Sequence, residues 1–213
     1  MRLTVFGATG RTGTRVLEHA IAEGHEVTVL VRNPHKLGEV PESVTIVEGD
    51  MMERADVARA VDGADAVIMA AGPTKASPTE MLEVSARNIV DAMRDAGVKR
   101  LVWLTGAGVV DERDRPALSR SLIRGLMKLV AGKVLSASER AYAVVAGSGL
   151  EYTVVRPPML ADEPGGVDLH GSYTPPKPIP VGRGDLARFL LDAAVKGEFV
   201  RESPLVSYRE RAK

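Results

Sequence analysis

The sequence predicts an α/β fold: a doubly wound, Rossmann-like parallel sheet with helices on both faces and a small C-terminal substrate-side region. Short, nearly continuous apolar runs alternate with amphipathic stretches as far as residue 105, which is typical of a parallel sheet covered on both faces. A glycine-rich turn follows the first of these runs. The length of 213 residues suits one domain. We therefore expect a single domain over 1–213, with substrate-side segments at about 106–132 and 157–184.

The composition excludes several classes of binding partner and of chemistry. Lys plus Arg and Asp plus Glu balance at 28 each, so no net field recruits nucleic acid or an anionic membrane. The absence of cysteine excludes disulfides, thiol catalysis and cysteine–metal sites, and we predict no metal site. Met1-Arg2 leads straight into a strand-like run, so we expect no signal peptide. No apolar run approaches the ~20 residues that span a bilayer, and we expect a cytoplasmic protein.

The first forty residues predict one strand–loop–helix–strand unit. The first strand covers 2–6, the loop is Gly7-Ala8-Thr9-Gly10-Arg11-Thr12-Gly13, the helix covers 15–23 and the second strand covers 27–31. This order places the glycines where a dinucleotide-binding loop requires them. The alternative is a glycine turn that binds no ligand.

Each glycine of the loop has a physical purpose in this interpretation. Gly7 permits the tight turn out of the strand, Gly10 lets a pyrophosphate approach the backbone, and Gly13 lets the helix pack against the strand. Free N–H groups at the helix start then hold the anion. The loop residues that we expect to bind the cofactor are Gly7, Thr9, Gly10, Arg11, Thr12 and Gly13.

The end of the second strand predicts which dinucleotide binds. An NAD site favours Asp or Glu there, because the acid accepts a hydrogen bond from the ribose 2′-hydroxyl. This strand instead ends in Arg32, and Lys36 follows. These cations, with Arg11 as a third, suit a 2′-phosphate, so we expect NADP(H) rather than NAD(H). The alternative is that Arg32 and Lys36 are ordinary solvated charges.

The third strand, 44–47, leads to a candidate adenine contact. Asp50 and Met51 follow it at the edge of the sheet where the base is expected. Asp50 could equally cap the helix that runs to Val61, with Glu53 completing a capping box. The two interpretations are compatible.

The fourth and fifth strands add the remaining cofactor candidates. Small residues at the exit of the fourth strand, Ala71 and Gly72, let a ribose and a phosphate pass close to the backbone; a plain tight turn would use the same residues. A helix is expected to begin at Ser77 as N-cap and to end at Gly97. Thr105 ends the fifth strand and points towards the expected nicotinamide region, unless it satisfies local backbone.

The pattern loosens after residue 109. The apolar and basic stretch 118–130 suits a substrate-side lid, a partner-binding helix or plain core packing. The elements expected beyond it are a helix over 136–146, a strand over 152–155, a structured loop over 159–180, a helix over 185–195 and a closing strand over 204–208.

Several stretches resemble one family. Besides the glycine loop they are VTVLVR at 27–32, SPT at 77–79, ARNIV at 86–90, SGLEY at 148–152, Pro157-Pro158 and Asp185-Leu186. Over residues 1–208 the chain is similar to the atypical short-chain dehydrogenases with an NAD(P)H-binding domain. Within them it is most similar to the flavin reductase/biliverdin-IXβ reductase group.

The resemblance implies a monomeric NADPH-dependent reductase that passes hydride to a flavin, a quinone or a linear tetrapyrrole in an open cleft. Two positions depart from the mammalian members of the group. Gly106 stands where they carry a serine, and Met159 stands where they carry a histidine. The choice of acceptor therefore does not carry over through these positions.

A tyrosine–lysine pair on a helix is the usual proton donor of short-chain dehydrogenases, since the lysine lowers the pKa of the tyrosine. The only match to Tyr-x-x-x-Lys is Tyr173 to Lys177, and two prolines inside it forbid the helix. Tyr142 lies on the expected helix, but Ala146 stands where the lysine would be. Alcohol–ketone interconversion is therefore disfavoured.

A flavin or quinone acceptor needs no dedicated proton donor, because its reduced anion can take a proton from water. An apolar slot for this small-molecule acceptor could include Met159, Leu160, Tyr173, Tyr142 and Leu122, although core packing explains each of them as well. The weak catalytic candidates are Thr105, Tyr142 and His170, the last of which could equally be a solvated loop residue.

Two function classes follow. The first is an NADPH-dependent oxidoreductase acting on a flavin, a quinone or a related acceptor. The second is a non-catalytic NADP(H)-binding redox sensor, with the helix around 118–130 as the surface for a protein partner. A sugar-nucleotide epimerase ranks last, because it needs the tyrosine–lysine pair and a larger substrate domain.

Overall fold

The computed structural model describes residues 1–74, 76–116, 118–162, 168–177 and 179–209, with the backbone alone over 118–131. Its main strands are β1 Arg2–Phe6, β2 Glu26–Val31, β3 Val44–Glu48, β4 Ala66–Met69, β5 Arg100–Leu104 and β6 Glu151–Val155. Its helices are α1 Arg11–Ala22, α2 Arg54–Val61, α3 Met81–Asp95, α4 Leu118–Ala146 and α5 Arg183–Lys196.

The six strands form one parallel sheet in the order β3-β2-β1-β4-β5-β6, which confirms the predicted doubly wound fold. The strand order reverses between β1 and β4, and folds of this type bind their ligands at the carboxyl ends of the strands at such a point. Helices α1 and α5 pack together on one face of the sheet, while α2, α3 and α4 cover the other. The two apolar cores that result hold the carboxyl edge of the sheet rigid.

Two pairs of short strands follow β6. Strand β7, Leu160–Ala161, runs parallel to β9, Val181–Gly182. Strand β8, Leu169–Ser172, runs antiparallel to β10, Leu205–Tyr208. The predicted closing strand is thus confirmed, and the predicted loop over 159–180 contains short strands.

Some predicted helix limits are wrong. Helix α1 begins at Arg11 rather than residue 15, because the extended Gly10 already serves as its N-cap. Helix α4 is continuous over 29 residues, where the sequence predicted two helices. Among the described residues, Ser77 does not cap α3; its hydroxyl accepts a hydrogen bond from the backbone N–H of Thr74, and the helix begins four residues later.

In the described part of the chain, none of the helices combines the length and the apolar composition that a bilayer crossing requires.

Candidate functional site

The glycine loop lies at the carboxyl end of β1, beside the point where the strand order reverses. Gly7 has a φ of +85°, and a Cβ there would lie 2.6 Å from the backbone nitrogen of Ala71. A Cβ on Gly13 would lie only 2.0 Å from the carbonyl oxygen of Gly7. The backbone N–H of Gly10 donates to that same oxygen at 2.9 Å. The loop therefore packs tightly between the exit of β4 and the first turn of α1.

The start of α1 offers backbone N–H groups to an anion. Gly10 is extended and, among the described residues, no side chain caps this helix. The hydroxyl of Thr14 donates to the carbonyl of Ala8 at 2.9 Å, which holds the loop against the helix. Thr9 is exposed and Thr12 is buried. Because the N–H groups of a first helical turn have no partner within the helix, this cradle fits the diphosphate of a dinucleotide.

The end of β2 is positively charged. Arg32 and Lys36 are both exposed, and no described residue forms an ion pair with either. Lys36 lies on a 3₁₀ turn, Pro34–Leu37, whose start is capped by the side chain of Asn33, which accepts from the N–H of His35 at 3.0 Å. Arg32, directly after β2, and Lys36, on the turn, are therefore two exposed cations at the carboxyl end of this strand, and cations of this kind suit a phosphate group.

The loop after β3 is held by side chains that sequence reasoning missed. Asp56 accepts a hydrogen bond from the N–H of Asp50 at 2.9 Å, and α2 begins only at Arg54, so the predicted capping of this helix by Asp50, with Glu53 reaching back to it, is wrong. The amide of Asn88, on α3, donates to the carbonyls of Met51 and Met52 at 3.2 and 2.8 Å. Asn88 therefore positions the residues expected to meet the adenine.

The exits of β4 and β5 lie at the same edge. Ala71 and Gly72 follow β4, with Ala71 directly against Gly7. The N–H of Thr105 donates to the carbonyl of Val155 at 2.9 Å, and the N–H of Ala107 donates to that of Pro157 at 3.0 Å. Since parallel strands end together, these residues lie at the same edge of the sheet as the glycine loop.

A buried ionic network stands behind this edge, and it too was missed. Arg156, directly after β6, donates to both carboxylate oxygens of Asp114 at 2.7 and 2.8 Å. It also donates to the carbonyls of Val109 and Ser203, each at 2.7 Å. The network therefore ties the loop after β5 to the C-terminal segment.

Tyr142 belongs to the same region. Its hydroxyl donates to Asp111 at 2.8 Å and accepts from the hydroxyl of Ser203 at 3.3 Å. Burial raises the pKa of Tyr142 to about 12. Burial by itself would raise the pKa of Asp111, but hydrogen bonds from Arg113 and Tyr142 outweigh it and hold that pKa well below its usual range. The pKa of Tyr142 is thus raised, whereas a neighbouring lysine would lower the pKa of a tyrosine.

Tyr173 is also engaged. Its hydroxyl accepts from the N–H of Ser203 at 3.0 Å and donates to Glu202 at 3.3 Å. Arg113 lies 4.7 Å above its ring, and burial raises the pKa of Tyr173 to about 12. Residues 173–177 form no helix, so the reason for rejecting this tyrosine–lysine pair is confirmed.

The other acceptor-side candidates are dispersed. Met159 is exposed, and Leu160 is half-buried on β7. His170 lies on β8 with its Nδ1 3.0 Å from the carbonyl oxygen of Ser207. Leu122 and the expected partner surface over 118–130 lie outside the residues whose side chains are described.

A groove of about 580 Å³ lies on the outer surface between α3 and α4. None of the residues predicted to bind the cofactor lines it. The predicted cofactor residues lie instead at the ends of β1 to β5, along the carboxyl edge of the sheet.

A family model described as NAD(P)H-binding matches residues 7–196. The chain is 38% identical over 115 residues to the uncharacterized protein YwnB of Bacillus subtilis (strain 168), covering 53% of this chain and 51% of that protein. It is 31% identical over 109 residues to the photosystem II assembly factor Ycf39 of Synechocystis sp. (strain ATCC 27184 / PCC 6803 / Kazusa), covering 49% of this chain and 33% of the relative. The matches thus span about half of the first relative's length and a third of the second's.

Solved structures share the whole fold. The anaerobillin reductase ChuY of Escherichia coli O157:H7 superposes with a TM-score of 0.83 at 21% identity, over 100% of both chains. A short-chain dehydrogenase/reductase of Veillonella parvula DSM 2008 in complex with NADP gives a TM-score of 0.77 at 20% identity, over 97% of this chain and 94% of that one.

Proposed function

Since this chain belongs to the NAD(P)H-binding family, we propose that it is an NADPH-dependent reductase that transfers hydride to a flavin, a quinone or a related conjugated acceptor. One observation carries the choice of cofactor. Exposed Arg32 and Lys36 follow β2, the strand expected to end beside the ribose, and the next acidic residue along the chain is Glu39. The two reductase-fold neighbours, one an anaerobillin reductase and one bound to NADP, support the same class of reaction.

The residues present suit a hydride transfer without a dedicated proton donor. NADPH, when bound, would supply the hydride, and the reduced acceptor would take its proton from water. The glycine loop and the cations that follow β2 would hold the cofactor, and the small residues at the exit of β4 would let its ribose pass close to the backbone. The hydroxyls of Tyr142 and Tyr173 are held within the protein at a raised pKa. The hydrogen bonds that hold these two hydroxyls and their raised pKa values both favour an acceptor whose reduced form is stable as an anion. The resemblance to the flavin reductase/biliverdin-IXβ reductase group supports the same acceptors.

The experiment that tests this proposal is NADPH oxidation with FMN and a small quinone as acceptors, run beside NADH. We expect saturable turnover that prefers NADPH. Turnover that prefers NADH would contradict the cofactor assignment. The absence of turnover with every acceptor, despite tight NADPH binding, would contradict the reductase.

Arg32→Glu is expected to weaken NADPH binding by about 10–100-fold while leaving NADH binding within about twofold. A charged hydrogen bond to a phosphate is worth about 1.5–3 kcal/mol, and only NADPH carries the 2′-phosphate. Titration of both cofactors by calorimetry measures the two dissociation constants. Arg209→Glu, an exposed arginine after β10, makes the same change of charge elsewhere and serves as the control. An equal loss for NADPH and NADH would refute the 2′-phosphate assignment.

A second candidate is a non-catalytic redox sensor that binds NADP(H) and acts through a protein partner. The observation in its favour is the likeness to a relative named as a photosystem II assembly factor. This candidate expects tight NADPH binding without turnover of any acceptor. The NADPH oxidation assay therefore separates the two.

A further inference from the structure

One carboxylate on the acceptor side of the molecule is shared between two arginines. Arg183 donates to one oxygen of Asp162 at 2.7 Å, and Arg11 approaches the other oxygen at 3.4 Å. Arg11 is the first residue of α1 and belongs to the glycine loop, whereas Arg183 is the first residue of α5. Asp162 therefore bridges two helix starts.

The register of the small strands explains the arrangement. Strands β7 and β9 run parallel with Ala161 opposite Gly182, so Asp162 and Arg183 follow as neighbours. The side chain of Arg183 is only 11% exposed, which anchors the carboxylate. Arg11, by contrast, reaches Asp162 from 151 residues away in the chain. The Arg11–Asp162 contact thus joins the end of β7 to the glycine loop.

This contact is exchangeable. The side chains of Arg11 and Asp162 are 72% and 64% exposed, and an ion pair between exposed groups is weak. The contact also places the negative charge of Asp162 next to Arg11 at the start of α1. A helix start of this kind is where a phosphate group binds. A dinucleotide phosphate in that cradle would repel the Asp162 carboxylate and attract the Arg11 guanidinium.

We propose that Asp162 is an internal competitor of the cofactor phosphate. In the free protein it holds Arg11, and a bound dinucleotide takes Arg11 over while Asp162 stays with Arg183. Cofactor binding thereby breaks the contact between the end of β7 and the glycine loop. The inference rests on the proposed function only in taking an NADP(H) dinucleotide as the ligand.

The test is the dissociation constant of NADPH for Asp162→Asn, measured by calorimetry without any acceptor. Asparagine keeps an oxygen that accepts from Arg183 but removes the charge. We expect binding to tighten by about fivefold, the scale of one exposed ion pair. In an Arg11→Gln background the same substitution should change the constant by less than about twofold, because the competition acts through Arg11. Asp168→Asn, an exposed carboxylate at the start of β8, is the matched control and should bind NADPH like the unmodified protein.

Weaker or unchanged NADPH binding by Asp162→Asn would overturn the inference, as would equal tightening in the presence and absence of Arg11. The unmodified protein separates this failure from that of the proposed function. If it binds NADPH and Asp162→Asn binds no tighter, only the competition is refuted. If it binds neither NADPH nor NADH, the proposed function fails and the inference fails with it.

Discussion

Gly13→Ala is expected to weaken NADPH binding by about 100-fold and to lower the free energy of unfolding by about 3 kcal/mol. The new methyl group would lie 2.0 Å from the carbonyl oxygen of Gly7 and 2.6 Å from its carbonyl carbon. Both are backbone atoms, so the loop and α1 must separate. A displaced helix start loses about two charge-assisted N–H contacts to the diphosphate, worth about 1.5 kcal/mol each at the lower limit.

Calorimetric titration and thermal unfolding measure the two effects separately. Gly132→Ala, on α4, is the matched control, because a Cβ there meets no described atom within 4 Å. Alanine favours a helix over glycine by up to about 1 kcal/mol, so the control should bind NADPH normally and unfold at a slightly higher temperature. A folded Gly13→Ala variant with an unchanged dissociation constant for NADPH would show that the cofactor does not use this loop.

The sheet and the glycine loop could be predicted because their signals are local. Apolar runs, turns and the spacing of Gly7, Gly10 and Gly13 each lie within a few residues, and backbone sterics fix what they form. Helix α4 could not be predicted as one element. The sequence indicates two separate helical stretches because Gly132, a poor helix former, lies between them, whereas the packing of α4 along α3 is a property of the folded molecule.

The residues that support the site could not be predicted, because their contacts join parts of the chain that are far apart in sequence. Asn88 acts on a loop 36 residues earlier, and Asp162 meets Arg11 across 151 residues. Spacing within a sequence carries no sign of such pairs. One signal was available: Arg156 follows a fully apolar strand end directly, and a charge in that position must find a partner if it is buried.

Arg156→Met is expected to lower the free energy of unfolding by about 4 kcal/mol, because it removes a buried cation that donates to both oxygens of a buried carboxylate. The Arg156 side chain is 0% exposed and that of Asp114 is 5% exposed. The substitution removes two hydrogen bonds to this carboxylate and one to each of the carbonyls of Val109 and Ser203. Methionine fills much of the space, so the loss measures the polar contacts more than a cavity.

Urea unfolding followed by circular dichroism gives this free energy, and two further variants identify its cause. Arg54→Met removes an exposed arginine paired with Asp95 and should cost less than about 1 kcal/mol. Arg156→Met combined with Asp114→Asn should recover part of the loss, since the buried charge is then gone while an oxygen remains to accept from the N–H of Asp111. A double variant as unstable as the sum of the two single ones would mean that the carbonyl contacts, rather than the ion pair, hold the loop after β5 to the C-terminal segment.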